Sequence, residues 1–168
     1  AGTRGAPLWA IGLVLSAWSP ASMANVLNGT VVGIADGDTL TVLDADQRQH
    51  KIRLAGIDAP EKGQPFGNTS RQALAKLVFR RHVAVEWHKK DRYQRLVGLV
   101  RVGQTDAGLE LLRSGLAWHY VAYANGQSRG ERLVYADAET EARSSGRGLW
   151  REGVPVPPWE YRASRRNR

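Results

Sequence analysis

Three short segments of alternating apolar and polar residues follow one another near the start of the chain, and they restrict its fold more than any other feature. Residues 26–34, 40–43 and 50–57 each have the two-residue period of a half-buried strand. Residues 36–37 and 44–47 separate these segments and have compositions typical of tight turns. Because strands joined by short turns pair with each other, the pattern predicts an antiparallel meander of three strands.

Two more strands and three helices are predicted after this meander. Residues 82–88 alternate strictly between polar and apolar side chains, and residues 96–102 continue with a mostly apolar strand pattern. Helix starts are indicated by a capping box at residues 69–72, by Asp106, and by a second capping box at residues 128–131. Five strands combined with helices predict an α+β domain whose sheet curls into a small barrel.

The third predicted strand leads into a turn that carries two carboxylates, Asp58 and Glu61. Alternation along the strand separates Arg53 from its apolar neighbours and holds the guanidinium group on rigid backbone beside this turn. Pro60 restricts the residue before it to extended geometry, which keeps both carboxylates out of the first turn of a helix. The stretch from Arg53 to Glu61 therefore has the residue types of an active site.

A second acidic turn, Asp-Gly-Asp-Thr at residues 36–39, precedes this one. Two acidic turns and an arginine are the groups that a metal-assisted phosphodiesterase requires, because carboxylates bind the metal and cations neutralise the phosphate. The alternative is that the aspartates are ordinary turn residues, as Asp-Gly pairs commonly are. The presence of Arg53, Glu61 and Arg95 beside them favours catalysis.

The composition limits the partners and the chemistry. A net charge of +8 on 168 residues favours polyanionic partners, although a merely soluble basic surface is the simpler alternative. The absence of cysteine excludes a disulfide framework, a thiolate metal site and a cysteine nucleophile. The histidines lack metal-ligand spacing, which argues against a zinc site; they are His50, His82, His88 and His119.

The two ends of the chain differ from its middle. Residues 1–24 have one charge, an apolar stretch and small residues before a cleavage position, which predicts a secretory signal peptide; an anchor helix is the alternative. Cleavage would leave a secreted or periplasmic protein without a membrane span. Residues 25–150 form one domain, with no sign of an oligomer, so a monomer is expected. Residues 151–168 are rich in Pro and Arg and predict a disordered, solubilising tail; alternatively, its extended prolines and its arginines could help to hold a nucleic acid strand.

Four motifs together resemble the staphylococcal-type thermonuclease family, over about residues 31–150. They are the Asp-Gly-Asp-Thr turn at 36–39, the Arg53-to-Glu61 stretch, Asp91-Arg92-Tyr93-x-Arg95, and Gly115-Leu116-Ala117. The resemblance implies a five-stranded OB-type β-barrel with three helices. It also implies calcium-dependent hydrolysis of DNA and RNA that leaves 3′-phosphate ends.

The resemblance assigns roles to nine residues. Asp38, Asp58 and the backbone carbonyl of Ala59 match the ligands of a Ca²⁺ ion, whose remaining ligands would be water and a phosphate oxygen. Arg53 and Arg95 match the arginines that grip the phosphate, and Glu61 matches the proposed general base. The residues that match the rim, where a neighbouring phosphate or a base binds, are Arg92, Tyr93 and Tyr123. For both tyrosines, simple packing of the ring is the alternative.

Two departures from the family pattern and one competing function remain. The segment of residues 106–109, Asp-Ala-Gly-Leu, lacks the Val-Asn pair that is common before this helix. Gln94 stands where the family usually has glycine, which could alter the bend that presents Arg95. The competing function is a non-catalytic OB-type nucleic-acid-binding protein that has kept the barrel and the charge. Such a binder has no use for Asp38, Asp58 and Glu61, which would repel phosphates without a cation. Their joint presence favours the nuclease.

Overall fold

A computed structural model describes residues 2, 24–124, 126–151 and 153–166 of the chain. Nearly all of the predicted signal peptide, residues 1–24, lies outside these ranges, so the secreted location stays a prediction. Among the helices in the described ranges, none has both the length and the apolar character needed to cross a membrane.

The described residues form eight strands and four α-helices. The strands are β1 (Asn25–Ile34), β2 (Thr39–Leu43), β3 (Gln49–Leu54), β4 (Ile57–Asp58), β5 (His82–Lys90), β6 (Leu96–Val102), β7 (Thr105–Asp106) and β8 (Trp118–His119). The helices are α1 (Gly67–Val78), α2 (Ala107–Arg113), α3 (Arg129–Ser144) and α4 (Pro158–Arg166), with short 3₁₀ helices at Val121–Tyr123 and Gly148–Arg151.

Five of the strands close into a barrel. Strands β1, β2 and β3 pair antiparallel as the predicted meander, and β5 pairs with β1 and β6. Strand β6 then pairs in parallel with β3, with Ile52 opposite Leu96, which leaves no open edge between the first and last strands. The predicted α+β fold with an OB-type five-stranded barrel is therefore confirmed.

The barrel interior is filled by branched aliphatic side chains that alternate with outward-facing residues. Val31, Val42, Ile52, Val85 and Val100, one from each of the five strands, are at most 1% exposed. Dry, close-packed interiors of this kind hold the backbone rigid, so side chains at the strand ends are presented in fixed positions. The two acidic turns are directly connected to these barrel strands, and one of the strands, β3, carries Arg53.

Two of the predicted helix starts are confirmed and one is wrong. The carboxylate of Asp106 accepts a hydrogen bond from the Leu109 N–H, and Ser128 forms a reciprocal capping box with Glu131. Helix α1, however, begins at Gly67 and not at the predicted box of residues 69–72. The reason is that the turn after β4 places Phe66, in the left-handed conformation, at the N-cap, where its carbonyl already accepts from the Ser70 N–H. The predicted cap, Thr69, therefore lies inside the helix.

A fourth helix, α4, lies within the segment that was predicted to be an extended, solubilising tail. Pro158 occupies its first position, where no N–H is needed and a fixed φ favours the helix. Glu160 lies in the first turn, and Arg165 and Arg166 lie in the last, as the helix dipole prefers. The helix count is therefore four instead of three, and the prediction of a disordered tail was wrong for these residues.

Candidate active site

All nine residues that the sequence pointed to line one cavity of about 330 Å³ beside the barrel. They are Asp38, Arg53, Asp58, Ala59, Glu61, Arg92, Tyr93, Arg95 and Tyr123. The turn between β1 and β2, the stretch from the end of β3 through β4 to Glu61, the bend between β5 and β6, and the 3₁₀ helix Val121–Tyr123 each contribute. Four sequence-distant segments therefore converge at one end of the barrel.

Arg53 is the central cation of this cavity and is fixed by its own backbone surroundings. Its Nη1 donates to the carbonyls of Leu54 and Ile57, both at 2.8 Å. This leaves Nη2 to face two carboxylates, at 3.0 Å from Asp58 Oδ1 and 3.2 Å from Asp38 Oδ2. The side chain of Arg53 is 5% exposed, so the guanidinium group is held in one orientation.

The acidic groups form a compact and largely buried cluster. The Asp38 N–H donates to Asp36 Oδ1 at 3.0 Å, and Asp38 Oδ2 accepts from the Ala59 N–H at 2.8 Å. Burial, reinforced by the charge of Asp38, raises the pKa of Asp36 to about 7. Burial also raises the pKa of Asp58, against the lowering effect of its arginine partners. Both pKa shifts arise first from burial, which disfavours the ionised form of each carboxyl group.

This donor set suits a hard divalent cation with oxygen ligands. Asp38 and Asp58 approach the same nitrogen of Arg53, and Ala59 is joined to Asp38 by a backbone hydrogen bond, so all three belong to one cluster. Within the described part of the chain, no three His, Cys, Asp or Glu side chains form a complete metal site. Two carboxylates and a carbonyl are an incomplete set, as expected for an ion that takes further oxygens from water and phosphate.

Glu61 is presented by a tightly closed turn between β4 and α1. Its N–H donates to the side-chain oxygen of Gln64 at 3.0 Å, and its carbonyl accepts from the Gln64 N–H at 2.9 Å. Gly67 packs so closely against this carbonyl that an added Cβ would lie 2.2 Å from the oxygen, which requires glycine here. The carboxylate of Glu61 is therefore carried by a fixed backbone next to Asp58.

Arg95 is oriented by an aspartate on the same bend. Asp91 accepts from the Arg95 Nε at 2.7 Å and from its backbone N–H at 3.0 Å, and Arg95 Nη1 donates to the Thr39 hydroxyl at 3.2 Å. Gln94 has a φ of 62°, the left-handed conformation that glycine adopts without strain. The glutamine therefore keeps the bend that the family's glycine would make, and Arg95 still reaches the cavity.

The rim of the cavity carries aromatic rings and a further arginine. Tyr93 is 60% exposed, and the guanidinium carbons of Arg92 and Arg95 lie 4.8 and 5.4 Å from the centre of its ring. The ring of Tyr123 lies 4.6 Å from the Arg53 guanidinium carbon and 5.6 Å from the ring of Tyr120. Tyr93 does not pack in the core, whereas Tyr123 packs against Arg53 and also faces the cavity.

Sequence reasoning missed three residues that line this cavity: Asp36 as a site residue, Tyr120 and Arg162. Arg162 projects from α4, with its Nη1 at 2.6 Å from Glu61 Oε1 and its Nη2 at 2.8 Å from Asp58 Oδ2. Its hydrogen bonds to Asp58 raise the pKa of Arg162 above the ordinary value, so the group carries its charge.

The sequence did contain a signal for the helix that carries Arg162. This signal was the pattern of Pro158, Glu160 and the terminal arginines, which is typical of a helix start and end.

Comparison with known proteins places this geometry in a family. The family model described as Staphylococcal nuclease homologue matches residues 51–152. A protein of Haemophilus influenzae named as an uncharacterized endonuclease is 39% identical over 132 residues, which cover 79% of this chain and 71% of that protein. The micrococcal nuclease of Shigella flexneri is 38% identical over 148 residues, covering 83% and 82%. The protein ParB of Escherichia coli is 40% identical over 151 residues, covering 84% and 82%. The chain therefore belongs to the staphylococcal nuclease family.

Proposed function

We propose that this chain is a calcium-dependent nuclease that hydrolyses phosphodiester bonds of DNA and RNA with little sequence preference and leaves 3′-phosphate ends. The observation that carries the proposal is the convergence of Asp38, Asp58, Arg53 and Arg95 on one cavity at the end of the barrel. Family membership and the names of the relatives support the nuclease activity. The oxygen-only donor set supports calcium.

The residues that would hold the ion are Asp38, Asp58 and the backbone carbonyl of Ala59. When bound there, calcium would supply positive charge that neutralises the phosphate and an open coordination position for one of its oxygens. The chain itself supplies the anionic ligands, and the rigid β1–β2 turn and strand β4 carry them. The low exposure of Asp38 and Asp58 excludes bulk water, which strengthens every charge interaction in the cavity.

The two arginines would stabilise charge that develops on the phosphate during attack. A guanidinium group has a planar array of donors that matches two phosphoryl oxygens, whereas an ammonium group acts as a point charge. Arg53 is held by two backbone carbonyls and Arg95 by Asp91, so both are oriented before substrate binds. Preorganised donors need no rearrangement at the moment of reaction, which is the source of their catalytic effect.

Glu61 would act on the attacking water. Its carboxylate lies at the cavity wall beside Asp58, and the turn closed by Gln64 fixes its backbone. A carboxylate in this place can accept the proton of a water molecule aligned with the scissile bond, a contribution that is typically about 10²–10⁴-fold in rate. Tyr93 and Arg92 would hold a neighbouring base and phosphate, contacts that are insensitive to sequence.

A non-catalytic nucleic-acid-binding barrel is the alternative function. The buried acidic cluster argues against it, because Asp36, Asp38 and Asp58 would repel a phosphate backbone without a cation between them. A binder would retain the basic surface and the aromatic rim but would have no requirement for Glu61. The two functions therefore differ in one measurable property, which is cleavage.

The test is incubation of the purified chain with single-stranded DNA and with RNA, with calcium and with excess chelator. We expect cleavage in calcium, no cleavage in chelator, and product fragments that end in a 3′-phosphate. Asp38→Asn serves as the matched inactive control, and Asp46→Asn, in the β2–β3 turn, as the active one. Undiminished cleavage in chelator would contradict the calcium assignment, and binding without any cleavage would favour the alternative.

A further inference from the structure

The contacts of Arg162 are unusual because they place a fourth guanidinium group in the cavity, directly on its acidic wall. Arg162 Nη2 lies 2.8 Å from Asp58 Oδ2, and Nη1 lies 3.2 Å from Asp58 Oδ1 and 2.6 Å from Glu61 Oε1. The arginine therefore binds both oxygens of a proposed calcium ligand and one oxygen of the proposed general base. The other three cavity arginines lie on strand β3 and on the bend between β5 and β6.

Helix α4 is docked against the barrel by complementary groups and does not merely lie near it. The Gln64 side chain donates to the Val156 carbonyl at 2.6 Å while its oxygen accepts from the Glu61 N–H, so one amide joins the C-terminal segment to the acidic turn. The Trp159 ring stacks on Tyr120 with centroids 5.1 Å apart and planes 12° apart. These contacts deliver Arg162 to the carboxylates in a defined register.

A calcium ion would compete with the Arg162 guanidinium group for the carboxylate of Asp58. Calcium binds carboxylate oxygens at about 2.3–2.6 Å, which would place it next to a cation that already lies 2.8 Å from Oδ2. Two cations on one buried carboxylate repel each other, and Asp58 is only 1% exposed, so water screens this repulsion poorly. Arg53 is held in place by two backbone carbonyls, whereas Arg162, at 40% exposure, has solvent to move into, so Arg162 is the cation that gives way.

We infer that Arg162 is a displaceable internal counter-cation: helix α4 closes the cavity of the calcium-free chain, and calcium binding releases the guanidinium group from Asp58 and Glu61. This inference rests on the calcium site of the proposed function. In the closed state Arg162 neutralises the acidic cluster and takes the place of the calcium ion that would contact the substrate. Release frees Asp58 Oδ2 for the ion, while Oδ1 keeps its contact with Arg53 Nη2, and it frees Glu61 to contact water.

The consequence is a reduced apparent affinity for calcium. When a ligand binds only the open state, its apparent affinity equals the intrinsic affinity multiplied by the fraction of molecules that are open. Removing the guanidinium group destabilises the closed state and raises that fraction. Arg162→Gln should therefore bind calcium more tightly than the unmodified chain, by at least about 5-fold if the coupling has the size that is typical between two sites.

The experiment is a calorimetric titration of the full chain with calcium, without nucleic acid, for the unmodified protein, Arg162→Gln and Arg165→Gln. Arg165 lies on the same helix, is exposed, and contacts the Tyr161 ring, so its substitution makes the same charge change away from the carboxylates. We expect tighter binding for Arg162→Gln only, with Arg165→Gln matching the unmodified chain. Thermal unfolding of each variant checks that the barrel is intact.

Hydrogen exchange of residues 158–166 provides a second readout on the unmodified chain. Calcium should accelerate exchange of the α4 amides while leaving the barrel strands unchanged, because only the docking of the helix is lost. Equal calcium affinities of the unmodified chain and Arg162→Gln, or weaker binding by the variant, would overturn the displaceable counter-cation and leave the calcium site standing. A failure of both chains to bind calcium would overturn the site and the inference together.

Discussion

Two arginines reach Asp58 from different parts of the fold, and they are held in different ways. Arg53 lies on β3, donates to two backbone carbonyls, and has a side chain that is 5% exposed. Arg162 lies on α4, has a side chain that is 40% exposed, and its three hydrogen bonds all go to carboxylates. One guanidinium group belongs to the rigid frame, whereas the other depends on the docking of a helix.

The difference between Arg53 and Arg162 shows how the barrel can preorganise the cavity while a separate helix closes it. The barrel fixes Arg53, Asp38 and Asp58 because their backbone is part of hydrogen-bonded strands and turns with dry interior packing. Helix α4 adds a contact that can be lost without opening the core. We therefore expect substitutions on the barrel side to reduce catalysis or metal binding. Substitutions of Arg162 should instead remove its competition with calcium for Asp58.

The largest expected effect is at Glu61, the proposed general base, whose carboxylate accepts a hydrogen bond from Arg162. Glu61→Gln removes the proton acceptor but keeps the shape of the side chain, so the cleavage rate should fall by roughly 10²–10⁴-fold while affinity for single-stranded DNA is retained. Single-turnover cleavage and a binding titration measure the two quantities. Glu110→Gln, on α2, is the matched control. A variant that cleaves like the parent would remove Glu61 from the mechanism.

Asp38→Asn tests the barrel side of the acidic cluster. The amide can still accept the Ala59 N–H but lacks the charge that a hard cation requires, so calcium affinity should fall by at least roughly 10-fold. Calorimetric titration without nucleic acid measures this change directly. Asp46→Asn, in an exposed turn, should bind calcium like the unmodified chain. Identical affinities for both variants would show that Asp38 is not a ligand.

Tyr93→Ala tests the exposed rim, where a moderate effect on binding is expected. Loss of a stacking ring costs about 1–3 kcal/mol per base in single-strand binding, and Tyr93 is exposed enough to meet a base. Tyr93→Phe keeps the ring and should retain the parent affinity, which separates stacking from the hydrogen bond that Arg92 donates to the hydroxyl. If the alanine variant binds DNA as well as the phenylalanine variant, the ring does not contact bases.

The smallest expected effect is on stability at the bend that presents Arg95. Gln94→Gly should raise the free energy of unfolding by about 1 kcal/mol, because the backbone at this position has a φ of 62°. Gln47→Gly, with a φ of 61° in the β2–β3 turn, should stabilise by a similar amount. Denaturant unfolding measures both. A loss of cleavage in Gln94→Gly alone would indicate that the glutamine side chain orients Arg95.

The barrel could be predicted because its signals are local. Alternation, short turns and caps at Asp106 and Ser128 act within a few residues, and they gave the meander and two helix starts. Helix α1 begins before the predicted box because the turn closed by Gln64 puts Phe66 at the N-cap, and Phe66 makes no side-chain cap that a sequence pattern would indicate. The four motifs, in the order of the thermonuclease family, predicted that the acidic turns and the arginines share one site. The roles of the individual residues stay predictions.

The C-terminal contribution to the site could not be predicted from composition. Arg162 is one of several arginines in a proline-rich end, and nothing local distinguishes it from a solvated charge. Its partner Asp58 is 104 residues away in the chain, and the contact exists only because Gln64 and Tyr120 dock helix α4. The proline at the first helical position was a local signal for the helix itself, but not for the side chain's target.

The decisive measurement compares Arg53→Lys with Arg162→Lys in one assay of single-stranded DNA cleavage at saturating calcium. We expect Arg53→Lys to lose roughly 10²–10³-fold in rate, the usual effect of removing one preorganised donor, and Arg162→Lys to cleave at least as fast as the unmodified chain. Circular dichroism and thermal unfolding confirm that both variants are folded. A folded Arg53→Lys with an undiminished rate would show that phosphodiester cleavage does not occur in this cavity.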